Sequence, residues 1–63
     1  MVDLRKKRKN MGLSMAEIGR RIGVSRQAIF SFENGKMKPS VKTAKKYADV
    51  LGINWIQIFD DIH

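Results

Sequence analysis

The chain has 63 residues, which is enough for one domain with a small core. It contains no cysteine and a single histidine, so disulfides and thiolate metal sites are excluded and a zinc site lacks ligands. No stretch approaches the roughly eighteen apolar residues of a membrane span, and the basic N-terminus is not followed by an apolar segment. We therefore expect one domain over residues 1–63, cytoplasmic, without a membrane partner, metal or cofactor.

Charge is distributed unevenly along the chain. Thirteen Lys and Arg residues against six Asp and Glu residues give a net charge of +7. Residues 1–46 hold all thirteen basic residues and three of the acidic ones, whereas residues 47–63 hold the other three acidic residues and no base. The first part of the chain is therefore expected to bind a polyanion.

Five short helices are predicted from their start and stop signals, which makes the fold class all-α. The predicted N-caps have short polar side chains that accept hydrogen bonds from free backbone N–H groups: Asp3, Ser14, Ser25, Ser40 and Asn54. The predicted helix ends carry glycine, which tolerates the left-handed conformation: Gly12, Gly23, Gly35 after Asn34, and Gly52.

The first helix places one charge among its apolar residues. Leu4, Arg8 and Met11 share a face at helical spacing, so Arg8 is expected to point inward. A buried arginine needs a carboxylate partner, and Glu33 is the candidate. The outward bases of this helix could be a nuclear localisation signal, a solvated face or phosphate contacts: Arg5, Lys6, Lys7 and Lys9.

The second and third helices are joined by a link of about three residues, 23–25. Ser14 and Glu17 form a capping box at the start of the second helix. The short link forces the two helices to cross steeply, which is the geometry of a helix-turn-helix unit. The backbones must approach closely at the crossing, and Gly19 supplies the space.

Polar residues occupy the exposed face of the third helix. Arginine pairs with guanine and glutamine with adenine in the major groove of DNA, so Arg26 and Gln27 predict a DNA recognition helix. The other residues of this face are Ser25, Phe30 and Ser31. An ordinary solvated helix face is the alternative interpretation of these residues, and the basic context favours DNA.

The loop after the third helix predicts a phosphate contact. We expect free backbone N–H groups beside Lys36 and Lys38, with Lys42 near enough in sequence to assist. An ordinary helix-ending loop is the alternative. The fourth helix should bury a stripe that lies beside Tyr47 and consists of Val41, Ala44, Ala48 and Leu51.

The last helix is apolar almost all round. Trp55, Ile58 and Phe59 suffice to close the core, and Ile56 lies on a different face. We assign Trp55, Ile56 and Phe59 to a candidate dimer interface. A single exposed isoleucine without a partner is the alternative.

The sequence resembles the Cro/C1-type helix-turn-helix family of bacterial and phage regulators, also called the XRE family. The resemblance covers nearly the whole chain. It rests on the basic first helix before Met-Gly-Leu-Ser, on residues 16–29 (AEIGRRIGVSRQAI), on Phe-Glu-Asn-Gly-Lys, on Lys-Pro-Ser, and on Tyr-Ala-Asp-Val-Leu-Gly-Ile.

The resemblance implies a five-helix domain that dimerises on operator DNA. It implies base contacts by Arg26, Gln27 and Ser31, with Ser25 at a phosphate or a base, and an internal ion pair between Arg8 and Glu33. It also implies a phosphate clamp of Asn34, Gly35 and Lys36. We place Ser14 and Met15 among the phosphate contacts and Phe30 among the base readers. The chain departs from the family at two of these positions, since glutamine is usual at Met15 and a small or polar residue at Phe30.

The function predicted from these features is a sequence-specific, homodimeric transcription regulator of double-stranded DNA. A small phage-type or bacterial repressor that binds a near-palindromic operator, without a small-molecule effector, fits best. A DNA-binding antitoxin of a toxin–antitoxin pair and a protein-interaction module that does not bind DNA are the alternatives. An enzyme is not expected, because no nucleophile–base pair, carboxylate dyad or metal cluster is visible.

Overall fold

The computed structural model describes residues 3–61, with the backbone alone for Asp60 and Asp61. Residues 1, 2, 62 and 63 of the predicted domain lie outside this range. The described part contains five helices and no strand, which confirms the predicted all-α class. The helices are α1 (Leu4–Asn10), α2 (Met15–Ile22), α3 (Arg26–Glu33), α4 (Val41–Leu51) and α5 (Trp55–Asp61).

All five helices begin where the capping residues predict. At α5, Asn54 Oδ1 accepts the Ile56 N–H at 3.0 Å. The Asp3 carboxylate accepts the Lys6 N–H at 3.0 Å. The hydroxyls of Ser25 and Ser40 accept the N–H groups of residues 28 and 43, each at 3.1 Å. In the capping box, Ser14 Oγ accepts the Glu17 N–H at 3.0 Å, and Glu17 Oε1 accepts the Ser14 N–H at 3.1 Å. Side chains of the flanking residues thus occupy N–H groups that have no partner within the helix.

The crossing of α2 and α3 depends on a glycine. A Cβ atom built on Gly19 would lie 2.7 Å from the carbonyl oxygen of Val24 and 3.4 Å from backbone atoms of Ser25. Gly23 ends α2 at φ 79°, in the left-handed region, and lets the chain turn at once into α3. The predicted close approach of the two backbones is confirmed.

All five helices contribute buried side chains to one core. Its members are Leu4, Ile18, Ile22, Ile29, Phe32, Ala44, Tyr47, Ala48, Leu51 and Ile58. Tyr47 is a fully buried member of this cluster, with its ring centroid 5.9 Å from that of Phe32.

Two residues expected in the core are exposed. Met11 is 48% exposed, because α1 ends at Asn10 and the chain turns there, so that Leu13 is buried instead. Val41 is 49% exposed, because it is the first residue of α4, and the buried residue at this end of the helix is Pro39. Periodicity predicted the inward face of these helices but not where each helix leaves the core.

Candidate nucleic-acid interface

The far end of α3 is fastened to α1 by an ion pair. Arg8 Nε donates to Glu33 Oε2 at 2.6 Å, and Nη2 donates to Oε1 at 3.2 Å. The two side chains are only 7% and 3% exposed, and Arg8 Nη1 also donates to the Leu13 carbonyl at 2.9 Å. The hydrogen bond to Glu33 raises the pKa of Arg8, although burial acts in the opposite direction. This two-point contact satisfies both charges away from water.

The opposite end of α3 presents its polar side chains to solvent. Ser25, Arg26, Gln27 and Phe30 are all exposed, whereas Ser31, one turn beyond Gln27, is half-buried. The first four of these residues line one open cleft of about 620 Å³ with Met15 of α2. Four of the five proposed base readers therefore line one surface, and Ser31 is not among them.

The cap at Ser25 leaves one polar hydrogen available. Its hydroxyl oxygen accepts the Ala28 N–H at 3.1 Å, which fixes the start of α3. A serine hydroxyl both donates and accepts, so its hydrogen remains able to reach a phosphate or a base.

The loop after α3 differs from the expected backbone clamp. The N–H groups of Asn34, Gly35 and Lys36 donate to the carbonyls of Phe30, Phe32 and Ser31 at 3.1, 3.3 and 2.9 Å. These three groups complete the helix end and are not free for a phosphate, so the N–H groups of Met37 and Lys38 are the ones that this loop leaves for one. Gly35 instead supplies the left-handed turn, at φ 68°.

Side chains of this loop and of α4 remain in position for phosphate contact. Lys36, Lys38 and Lys42 are exposed. The Lys36 ammonium lies 5.5 Å from the ring centroid of Phe30. Asn34 donates one hydrogen of its side-chain amide to the Phe30 carbonyl at 2.8 Å, which leaves the other hydrogen.

The start of α2 faces the same cleft. Ser14 is exposed, but its backbone N–H is occupied by Glu17. Met15 is half-buried, lines the cleft and stands at the first helical position, where a backbone N–H has no acceptor within the helix. The Glu17 carboxylate lies beside this end, and hydrogen bonds from Ser14, with a smaller contribution from Arg20 and Arg21, lower its pKa.

The three residues assigned to a dimer form an apolar strip on α5. Trp55 and Phe59 are half-buried, with their rings perpendicular and centroids 5.8 Å apart. Ile56 is 51% exposed. Sequence reasoning missed that Lys45 of α4 places its ammonium 5.3 Å from the centroid of the Trp55 ring. No local pattern could have revealed this contact, because it joins two helices.

Two further properties concern the described residues as a whole. None of the helices between residues 3 and 61 is long and apolar enough to cross a membrane. In the same part of the chain, no group of three or more His, Cys, Asp and Glu side chains is placed to hold a metal ion.

The closely packed α2–α3 pair with its three-residue link, residues 23–25, defines a helix-turn-helix domain within the five described helices. A family model described as Helix-turn-helix matches residues 4–57. The chain therefore belongs to the helix-turn-helix family, of the Cro/C1 type that its motifs resemble. This is a family of DNA-binding transcription regulators that are generally not enzymes.

Similar proteins carry regulator names. The chain is 39% identical over 54 residues to an HTH-type transcriptional regulator of Methanothermobacter thermautotrophicus, covering 86% of this chain and 78% of that protein. It is 39% identical over 57 residues, 90% of its length, to an HTH-type transcriptional regulatory protein of Aeropyrum pernix, of which it spans 17%. A similarly named protein of Saccharolobus islandicus is 39% identical over 49 residues, 78% of this chain and 16% of that protein. No solved structure matches the chain significantly.

Proposed function

We propose that this chain binds double-stranded DNA sequence-specifically, as a homodimeric transcription regulator of the small repressor type. The observation that carries the proposal is the pair Arg26 and Gln27, exposed side by side at the first turn of α3. The ion pair of Arg8 and Glu33 holds the other end of the same helix. In helix-turn-helix proteins the N-terminal residues of the second helix contact base edges in the major groove.

The side chains of α3 suit particular base edges. Arg26 would donate two hydrogen bonds to O6 and N7 of a guanine, and Gln27 would exchange two with N6 and N7 of an adenine. Ser25 and Ser31 can contact either a base or the adjacent backbone. Each two-point contact discriminates against a wrong base by about 1–3 kcal/mol.

Phosphate contacts would hold the recognition helix in the groove. Lys36, Lys38 and Lys42 are exposed cations on the loop and helix that follow α3. Asn34 has one amide hydrogen to contribute. Ser14 and Met15 would add the hydroxyl and the free N–H at the start of α2, where the helix dipole also favours an anion.

The apolar strip of Trp55, Ile56 and Phe59 is the surface we assign to the second copy of the chain. Residues 47–63 contain no Lys or Arg, so Lys45 of α4, beside the Trp55 ring, is the cation that two copies would have to accommodate there. A two-fold dimer places its recognition helices about 34 Å apart, one turn of DNA, and therefore requires a near-palindromic operator. Control by a small-molecule effector is not part of the proposal.

The experiment that tests this function is selection of bound sequences from a random DNA pool, with competitor DNA at physiological salt. We expect one near-palindromic sequence to be enriched. Binding to it should weaken with salt, and Lys36→Ala should flatten the slope of log affinity against log salt by about 0.9 per subunit, or about 1.8 for the dimer. Lys46→Ala, which removes an exposed cation outside the proposed interface, is the matched control. Recovery of unselected DNA, or affinity that does not vary with salt, would refute the proposal.

A further inference from the structure

Two apolar side chains lie on the surface that we propose faces DNA. Phe30 is 44% exposed in the middle of α3, while Ile29 and Phe32 beside it are buried in the core. Met15 is half-buried at the first turn of α2. Both line the cleft that Arg26 and Gln27 also line. The proposed reading surface therefore has an apolar part next to its polar part.

Contacts on the neighbouring loop hold Phe30 in place. The Lys36 ammonium lies 5.5 Å from the ring centroid, within the range of a cation–π interaction. The backbone carbonyl of Phe30 accepts from both the side-chain amide and the N–H of Asn34, at 2.8 and 3.1 Å. An exposed aromatic ring that is anchored beside a cation is suited to a ligand with an apolar group next to an anion.

The position of Phe30 on α3 indicates which apolar group of DNA it would contact. Phe30 follows Arg26 by four residues and so shares its face, about 6 Å further along the axis at a rise of about 1.5 Å per residue. Base pairs are spaced by about 3.4 Å along the DNA axis, so this distance corresponds to at most about two base-pair steps. In the major groove of unmodified DNA, the apolar group that a base presents is the 5-methyl group of thymine.

We propose that Phe30 and Met15 form a binding site for the 5-methyl group of a thymine, within about two base pairs of the guanine that Arg26 contacts. The inference rests on the proposed function and adds the chemistry of one subsite. Arg26 and Gln27 recognise base edges through hydrogen bonds, whereas the Phe30 ring and the Met15 thioether contact a methyl group. The ammonium of Lys36 neutralises the phosphate beside it.

The test uses deoxyuridine, which differs from thymidine by this methyl group alone. Each thymine of the selected sequence is replaced in turn, and affinity is measured by fluorescence anisotropy with the whole chain. We expect one thymine per half-site whose replacement weakens binding about fourfold, the effect of burying one methyl group. In Phe30→Ala the same replacement should have no effect. Met37→Ala removes an apolar side chain of equal exposure, 44%, outside the cleft, and should retain the full deoxyuridine effect.

The possible results separate this inference from the function on which it rests. If the wild-type chain enriches a sequence but no deoxyuridine replacement weakens binding, the methyl site is wrong and sequence-specific binding stands. If Phe30→Ala weakens all DNA equally and keeps the deoxyuridine effect, the ring contacts a sugar instead, and the inference is again wrong. If no sequence is enriched, the proposed function fails first. Met15→Gln, which replaces the thioether with an amide at a half-buried position, should reduce the deoxyuridine effect and provides a second variant.

Discussion

Gly19→Ala should destabilise this protein, although alanine in place of glycine inside a helix ordinarily stabilises by about 1 kcal/mol. The new Cβ would lie 2.7 Å from the Val24 carbonyl oxygen, closer than carbon and oxygen can approach without movement. The atom that must yield belongs to the backbone of the α2–α3 turn. Overpacking of this kind costs about 1–3 kcal/mol. After the ordinary gain is subtracted, we expect a net loss of up to about 2 kcal/mol, against a total stability of roughly 3–9 kcal/mol typical of a chain this long.

Urea unfolding followed by circular dichroism measures this change. With a slope of about 1 kcal/mol per molar urea, the midpoint should fall by up to about 2 M. Gly52→Ala is the control, because its φ of 70° strains an alanine by about 1–2 kcal/mol while the surrounding space is open. Both variants should lose stability, but only Gly19→Ala should also weaken DNA binding, since it displaces Ser25 at the start of α3. A Gly19→Ala chain more stable than the wild type would show that the crossing has room and that this reasoning is wrong.

Three further predictions concern separate parts of the chain. Glu33→Ala should lower the free energy of unfolding by about 3–5 kcal/mol, because it leaves Arg8 buried without its partner. The double variant Arg8→Met with Glu33→Leu should recover most of this loss. An equal loss in the single and the double variant would contradict the role assigned to the ion pair. The pKa of Glu17 in the folded chain is lowered from its ordinary value of 4.5. The ionised Glu17 carboxylate therefore stabilises the folded chain above pH 4.5, and this stabilisation disappears as the pH falls through the lowered pKa. Glu17→Gln should therefore be less stable at neutral pH, with a difference that vanishes in acid unfolding curves. Ile56→Glu should reduce dimerisation in sedimentation equilibrium, and Val41→Glu, of similar exposure, should not.

Much of this fold is predictable from the sequence because its signals are local. A cap is made by a side chain and an N–H group three residues later, as at Ser14 and Ser40, so spacing alone finds it. The partner of Arg8 was also predictable, although it lies 25 residues away. A buried arginine needs a carboxylate as its partner, which restricts the choice to a few residues. Glu33 was the candidate because it lies at the far end of the third helix.

Other features depend on how elements meet, which spacing does not specify. Met11 and Val41 have helical spacing with core residues, yet lie at helix ends that point away from the core. The N–H groups of Asn34, Gly35 and Lys36 are occupied because the helix end closes on its own carbonyls. The cleft shared by Met15 and Phe30 requires the angle between α2 and α3, which the sequence indicates only as steep.

The central claim is that α3 reads base edges through its first turn, and the most direct test compares the DNA sequences selected by the wild-type chain and by Arg26→Ala. Arg26 is exposed and makes no contact that supports the core, so the variant should fold normally. We predict that Arg26→Ala binds the wild-type operator more weakly by about 1–3 kcal/mol for each half-site and loses its preference at one base pair of each half-site, with the other positions unchanged. An unchanged set of selected sequences would contradict the account.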